Sequence, residues 1–342
     1  MEKLKLAIAA AFATLVTACG QDPVPTVPTV ESVQVADPGG TQAAANMVAD
    51  NLPYFGSLTQ SSNSGSVPGI TGDRASAAFD GQNLDLTIQR QDGSSIQLNT
   101  ADNALQSIPG TYTGVPGLDR RRDIVMARIA DNAVSAAVTY VNWNDSDPLD
   151  YLATGYWMHY DFEGDASGFT VTGTEIGAFV DGPELDGSTS LPVDRTASYL
   201  EATQGFYVQN QNARTDIGAF TAIFELTANF GSNTVSGCVG CTGSIELSSF
   251  EDDSTSESNT MLRLGPAPIG SDGSFRNQEV MLVTPGMTYS ENSGSWGGKL
   301  SNVPDAAGDP RLVAGTYGAK AATAGGDGIT FVGAFYAGKR EQ

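Results

Sequence analysis

Between Gly218 and Gly231 every second residue is apolar: Phe220, Ala222, Phe224, Leu226, Ala228 and Phe230 fall on one face and Thr221, Glu225, Thr227 and Asn229 on the other. A period of two belongs to a β-strand with one buried and one wet face, and a helix cannot hold it. From about residue 173 the same grain recurs, with strands expected near 173–181, 196–209, 217–230, 234–247, 260–269, 286–301, 311–320 and 328–338. In the last of these Ile329, Phe331 and Phe335 share a face, and Gly333 between them leaves room for tight curvature. Eight antiparallel strands suit a small barrel, because closure removes the edges along which exposed strands aggregate. An open two-sheet sandwich is the alternative packing of the same pattern.

Upstream, Asp-Gly pairs punctuate shorter segments. Ala77 to Phe79, Leu84 to Gln89 and Ser95 to Leu98 are separated by Asp80-Gly81 and Asp92-Gly93, the residues that favour tight hairpin turns. Asp131-Asn132 separates 123–130 from 133–143, and Leu152 to Phe162 forms a strand rich in aromatic residues. Thr41 to Asn51 is expected to form one short helix that ends before Pro53. The 40 glycines spread through 342 residues agree with many short strands and tight turns.

The N-terminus is an address. Lys3 and Lys5 precede a run of about 13 mostly apolar residues, the length of a signal-peptide core and too short to span a bilayer. The run ends in Val16-Thr17-Ala18-Cys19, which resembles the bacterial lipobox, so Cys19 is expected to become the lipid-bearing mature N-terminus, anchored through fatty acyl chains of the palmitate kind. Gly20 rather than Asp follows it, a pattern similar to that of lipoproteins sorted to the outer membrane. Gln21 to Gly40, rich in Pro, Val and Thr, reads as a disordered tether. The expected organisation is therefore a signal peptide over 1–18, a flexible tether over 19–45, a small β domain over 46–172 and an eight-stranded barrel over 173–342, all-β throughout apart from the one short helix.

The formal net charge of −22 repels phosphate backbones and anionic lipid, which argues against nucleic acid and favours cations or basic partner surfaces. With Cys19 committed to lipid, Cys238 and Cys241 remain as a pair in an oxidising compartment. Their spacing suits a disulfide pinching a hairpin. A redox pair would need a helix N-terminus or cations beside it, and a zinc site would need two further Cys or His ligands where the chain has one histidine.

Gly315-Thr316-Tyr317-Gly318-Ala319-Lys320-Ala321, Gly325-Gly326 and Val332-Gly333-Ala334-Phe335-Tyr336-Ala337-Gly338-Lys339-Arg340 resemble the closing strands of the transferrin-binding protein B-like barrel. Gly294-Ser295-Trp296-Gly297-Gly298 and Leu226-Thr227-Ala228-Asn229-Phe230-Gly231, followed by Val235-Ser236-Gly237, are similar to its earlier strands. The resemblance covers roughly 173–342 and implies that the preceding β segments form the handle-like domain of that family. It further implies a surface lipoprotein that captures a protein, haem or metal-carrier ligand, sometimes for delivery to a TonB-dependent receptor. The chain departs from the family in having one handle and barrel rather than two, and in carrying Ala322 and Thr323 where glutamate is common. The family's contact loops vary, so no binding residue carries over.

Candidate chemistry is sparse. His159, the one histidine, lies in Trp157-Met158-His159-Tyr160, where an imidazole among aromatics suits an axial haem ligand; Trp157, His159 and Tyr160 are the candidate ligand contacts, against the plainer reading of a wet-face histidine. Glu251-Asp252-Asp253 with Glu257, and Asn144-Asp145-Ser146-Asp147, carry oxygens that calcium takes, but neither has the spacing of a calcium loop, and solvated loops are the plainer reading. Arg120-Arg121-Arg122 is the sole basic cluster, read as a solvated turn or a dock for an acidic partner. No nucleophile-elbow pentapeptide, zinc-protease helix or phosphate loop is present. The sequence therefore predicts a non-enzymatic ligand-binding lipoprotein without cofactor or bound metal, with a structural or adhesive envelope role as the alternative.

Overall fold

The computed structural model describes residues 54–55, 75–79, 83–89, 94–100, 106–113, 120–129, 133–144, 147–165, 168–182, 185, 191–211, 214–249, 254–305 and 307–340. The signal segment, Cys19, the tether, the helix expected over 41–51 and the acidic residues 251–253 lie outside them. Among the described residues the structure is all-β.

The first nine strands in chain order are β1 (Tyr54–Phe55), β2 (Ala75–Phe79), β3 (Leu84–Gln89), β4 (Ser95–Asn99), β5 (Gln106–Thr113), β6 (Arg120–Ile129), β7 (Ala133–Asn144), β8 (Asp147–Asp165) and β9 (Gly168–Asp181). They form two sheets: β2-β3-β4, and a six-stranded sheet in the order β1-β9-β8-β7-β6-β5. The hairpins expected at the Asp-Gly turns are the three strands of the small sheet. The sequence reading has no strand at β5; it contains Pro109, which lacks the donor a central strand needs, and β5 is an edge.

The remaining strands are β10 (Thr196–Gln211), β11 (Arg214–Asn229), β12 (Thr234–Val239), β13 (Ile245–Ser249), β14 (Thr255–Ser258), β15 (Met261–Pro268), β16 (Ser274–Asn277), β17 (Val280–Val283), β18 (Glu291–Leu300), β19 (Leu312–Ala322) and β20 (Gly328–Lys339). They form one antiparallel sheet that runs β18-β19-β20-β10-β11-β12-β15-β17 and curls back towards β18. β12 and β13 both pair with β11, so they are two halves of one long strand broken by residues 240–244, and β15 and β14 follow them on the other side.

No continuous ladder joins β17 to β18: Glu279 and Gly294 form one isolated bridge, and β16 pairs with β18 over Trp296–Lys299. The junction is laced by side chains. The Asn292 carboxamide accepts from Leu282 N–H at 2.9 Å and donates to Leu282 C=O at 2.7 Å, and Trp296 Nε1 donates to Gly265 C=O at 2.9 Å. One amide side chain thus supplies the donor and acceptor that a paired strand residue would have supplied.

Two corrections to the expected barrel follow. Residues 173–181 belong to β9 of the six-stranded sheet, and Val280–Val283 takes the eighth place in the barrel circuit. The reason is burial on both faces: Ile176, Ala178, Phe179 and Val180 are all enclosed, so β9 carries a continuous apolar run that cannot show which sheet it joins. At four residues, β17 is too short for its alternation to stand out.

The six-stranded sheet is the middle of three layers. Ala137, Val141, Tyr151, Ala153, Trp157 and Phe179 on one face pack against Leu84, Leu86, Ile88, Ile96 and Leu98 of the small sheet. The other face meets the outer wall of the barrel, where Leu152 and Val180 pack on Leu312, Ala314 and Tyr336. Polar ties cross the same seam. Tyr140 and Tyr156 both donate to Gln204 Oε1, at 2.6 and 3.2 Å, and the ammonium of buried Lys299 donates to Gly182 C=O at 2.6 Å.

A reciprocal pairing of glycine and aromatic residues shapes three hairpins. In β8–β9 Gly155 faces Phe179 and Trp157 faces Gly177; in β10–β11 Gly205 faces Phe220 and Tyr207 faces Gly218; in β19–β20 Gly315 faces Phe335 and Tyr317 faces Gly333. Each ring lies over the bare backbone of its partner, which buries ring area and covers the peptide at the same time. The fit leaves no space for a larger residue: a Cβ at Gly333 would sit 2.5 Å from Tyr317 Oη and 2.9 Å from Phe220 Cζ.

Candidate functional site

The aromatic strand β8 carries Trp157 and His159 into the interior. They are 1% and 5% exposed, so the wet-face reading of His159 is corrected: alternation directs it into the layer between the small and six-stranded sheets. Ser135 Oγ lies 2.7 Å from His159 Nδ1, and Glu175 occupies the in-register position on the other side of His159, in β9. A hydroxyl beside an imidazole is the pair that begins the activation of a serine nucleophile. Here the serine and histidine are enclosed, and neither offers a surface to a substrate or a haem. The side chain of Tyr160 lies outside the described residues.

The barrel lumen is the second place where a ligand could sit, and its core is filled. Phe224 and Phe335 stack with centroids 4.0 Å apart, Phe220 meets Phe331 edge-on at 5.1 Å, and Tyr317 bonds Thr203 Oγ1 at 2.9 Å. Burial raises the Tyr317 pKa far above its ordinary range, so the phenol is a neutral strut. These aromatic side chains serve as wall-to-wall packing.

One end of the barrel is latched by charge. Lys339 at the end of β20 reaches Asp305 at 2.5 Å and also Asp309, and Arg195 donates to Ala307 C=O at 2.5 Å. Asp305 Oδ1 in turn accepts from the amides of Ala307 and Asp309 at 2.8 and 2.9 Å, which draws both residues in against the carboxylate. Burial raises the Asp305 pKa, but the Lys339 hydrogen bond and the two amides outweigh it and hold the carboxyl below its usual range. For Lys339, burial lowers the pKa and the two carboxylates reverse that, so the ammonium is held above its usual range.

The outer face along β12, β15 and β17 is different in kind. Cys238 and Cys241 are joined by a disulfide with Cα atoms 5.8 Å apart, at the break between β12 and β13. Across the sheet from Cys238 comes Arg263, and across from Arg263 comes Met281. Met281 is 57% exposed and Met287, in the turn that follows β17, is 48% exposed. Met261 Sδ lies 3.9 Å from Cys241 Sγ, which brings one thioether beside the disulfide. Neither methionine was singled out by sequence; the signal available was the odd-numbered position of Met281 opposite inward-facing Val280 and Leu282.

The other sequence candidates fall elsewhere. Arg120 to Arg122 open β6 and are not a turn, because the strand pairs with both β5 and β7 from its first residue. Asn144 and Asp147 pair where β7 passes into β8, and Glu257 lies on β14, directly opposite Glu246. Among the described residues no group of His, Cys, Asp and Glu side chains is arranged to hold a metal ion.

No family model matches the chain, and no curated protein matches it. Among solved structures it is similar to intact Ap-TbpB (N and C lobes), at 9% identity and a TM-score of 0.30, over 85% of this chain and 61% of that one. The chain thus spans less than two thirds of that structure's length. The likeness is distant, and the architecture rests on the geometry described above.

Proposed function

We propose that this protein is a lipid-anchored surface lipoprotein that binds a macromolecular ligand on the outside of its barrel. The observation that carries the reading is the filled lumen: Phe220, Phe224, Tyr317, Phe331 and Phe335 occupy the centre of the barrel, and recognition falls to the outer faces and loops. A protein is favoured over haem, because the single histidine is enclosed behind a second sheet and an axial ligand must reach the iron. Cys19 supplies the anchor in this reading, and the anionic surface selects a partner with a basic face. Handing the ligand on to a TonB-dependent receptor is the further step that such an address would serve.

The test uses the full chain purified with its lipid from a culture starved of iron. Capture of one defined protein with saturable binding supports the reading. Stoichiometric haem or metal on the purified chain would turn it towards cofactor carriage. A chain that binds nothing saturably in rich and starved cultures would leave a structural or adhesive role.

A further inference from the structure

We propose that Met281 and Met287 form a methionine-sulfoxide site whose oxidised state is held by hydrogen-bond donors already in place. Both thioethers stand in solvent, whereas Met158 is 1% exposed between the six-stranded sheet and the barrel. Susceptibility of a thioether follows access of the oxidant to sulfur, so the two surface residues react first. No thiol competes nearby, since Cys238 and Cys241 are already joined.

What sets this pair apart from any exposed methionine is its company. Arg263 is the in-register cross-strand neighbour of Met281 on the outward face and is itself exposed. Side chains so placed have Cβ atoms about 5 Å apart, within reach of a guanidinium. At Met287 the donor is Tyr289, whose Oη contacts Sδ at 3.9 Å. Tyr289 Oη is bonded to Thr284 Oγ1 at 2.7 Å, and Thr284 to Thr260 Oγ1 at 2.7 Å, so Thr284 can donate to the phenol and leave the phenolic proton directed at sulfur. A thioether is a weak acceptor and takes little from either donor. A sulfoxide oxygen is a strong one, and from Arg263 the bond would be charge-assisted.

With hydrogen peroxide as the oxidant, the sulfur lone pair attacks one peroxide oxygen, the O–O bond breaks and an S–O bond forms. The departing hydroxide takes up the proton released by the transferred oxygen and leaves as water. Sulfur is oxidised by two electrons and the peroxide is reduced by two, so the step balances.

The experiment treats the full chain with graded hydrogen peroxide and maps the added oxygen by peptide mass spectrometry. Met281 and Met287 are expected to gain oxygen at least about tenfold faster than Met158, whose access requires local opening. The thermal midpoint of the oxidised chain should match that of the reduced chain. In the double variant Arg263→Gln, Tyr289→Phe it should fall on oxidation. Oxidation of Met158 at the same rate as the surface pair, or the same fall in midpoint with and without the two donors, would overturn the proposal. Met281→Leu with Met287→Leu should abolish the early mass gain, and persistence of that gain would place the oxidation elsewhere.

Discussion

The β8–β9 hairpin and the two barrel hairpins, β10–β11 and β19–β20, carry the same glycine and aromatic pairs in the same register, yet their surroundings differ. In the barrel the rings of Phe220, Tyr317 and Phe335 meet other rings across a closed lumen. In the six-stranded sheet the ring of Trp157 meets Leu and Ile side chains of a separate small sheet, and its Nε1 has no hydrogen-bond partner. The difference teaches that the pairing is a local device: a ring laid over a bare backbone fixes how two strands approach, and something else decides what their common face looks at. Curvature decides it here. β20 pairs with β10 as well as β19, with Gly205 directly opposite Gly333, and two facing glycines let the wall bend where β8 and β9 stay within a layered sheet.

The strongest way to break that comparison is to fill the space. Gly333→Val should destabilise the chain by about 3 kcal/mol or more, because the added atoms run into the enclosed rings of Tyr317 and Phe220. A loss below about 1 kcal/mol by urea denaturation would show that the barrel hairpins tolerate ordinary residues. Next in size is the tie between the layers. Lys299→Met should cost about 2 kcal/mol, since it leaves the Gly182 carbonyl without its charged donor in a buried site. If the middle layer depends on that tie, the six-stranded sheet should lose hydrogen-exchange protection while the barrel keeps its own.

A smaller effect is expected at the laced junction. Asn292→Leu removes two hydrogen bonds at a solvent-exposed position and should cost about 1 kcal/mol, with faster amide exchange at Leu282 as the specific readout. Unchanged exchange there would mean that Trp296 and the neighbouring turns hold the junction unaided. The smallest change is in the charge latch. The carboxyl of Asp305 is held below its usual value, so its contribution is present above the unfolded-state pKa and fades as pH falls through the lowered one. Lys339 is held above its usual value, so its contribution is present below the unfolded-state pKa and fades as pH rises through the raised one. Thermal midpoints should therefore sag at both acid and strongly alkaline pH, and Lys339→Met should flatten the alkaline limb.

Much of the architecture is legible in the residue order. The Asp-Gly turns delimit β2 to β4, and the alternation of Phe220 to Phe230 identifies β11 and its buried face. Three Gly-Ala-Phe triplets, at 177–179, 218–220 and 333–335, stand in the sequence as a repeat of the hairpin device, and their meaning emerges only with the register that sets each opposite a Gly-x-Trp or Gly-x-Tyr strand. Layering is not legible, because the enclosed stretch of β8, Tyr151 to Met158, shows no alternation of apolar and charged residues and reads alike whether its second cover is a barrel wall or a helix. His159 illustrates the cost. Its neighbours suggest an exposed aromatic pocket, and only the presence of the small sheet over them turns that pocket into interior.

The junction stitched by Asn292 also bears on the order in which the cylinder assembles. Its two partners are ten residues apart, so the contact forms as a short local loop closure. The backbone-paired boundary between β10 and β20 instead joins Leu200 to Gly338, nearly the whole length of the barrel segment. Sequence distance makes that boundary the slow one, and the barrel is expected to shut last where its first strand meets its last.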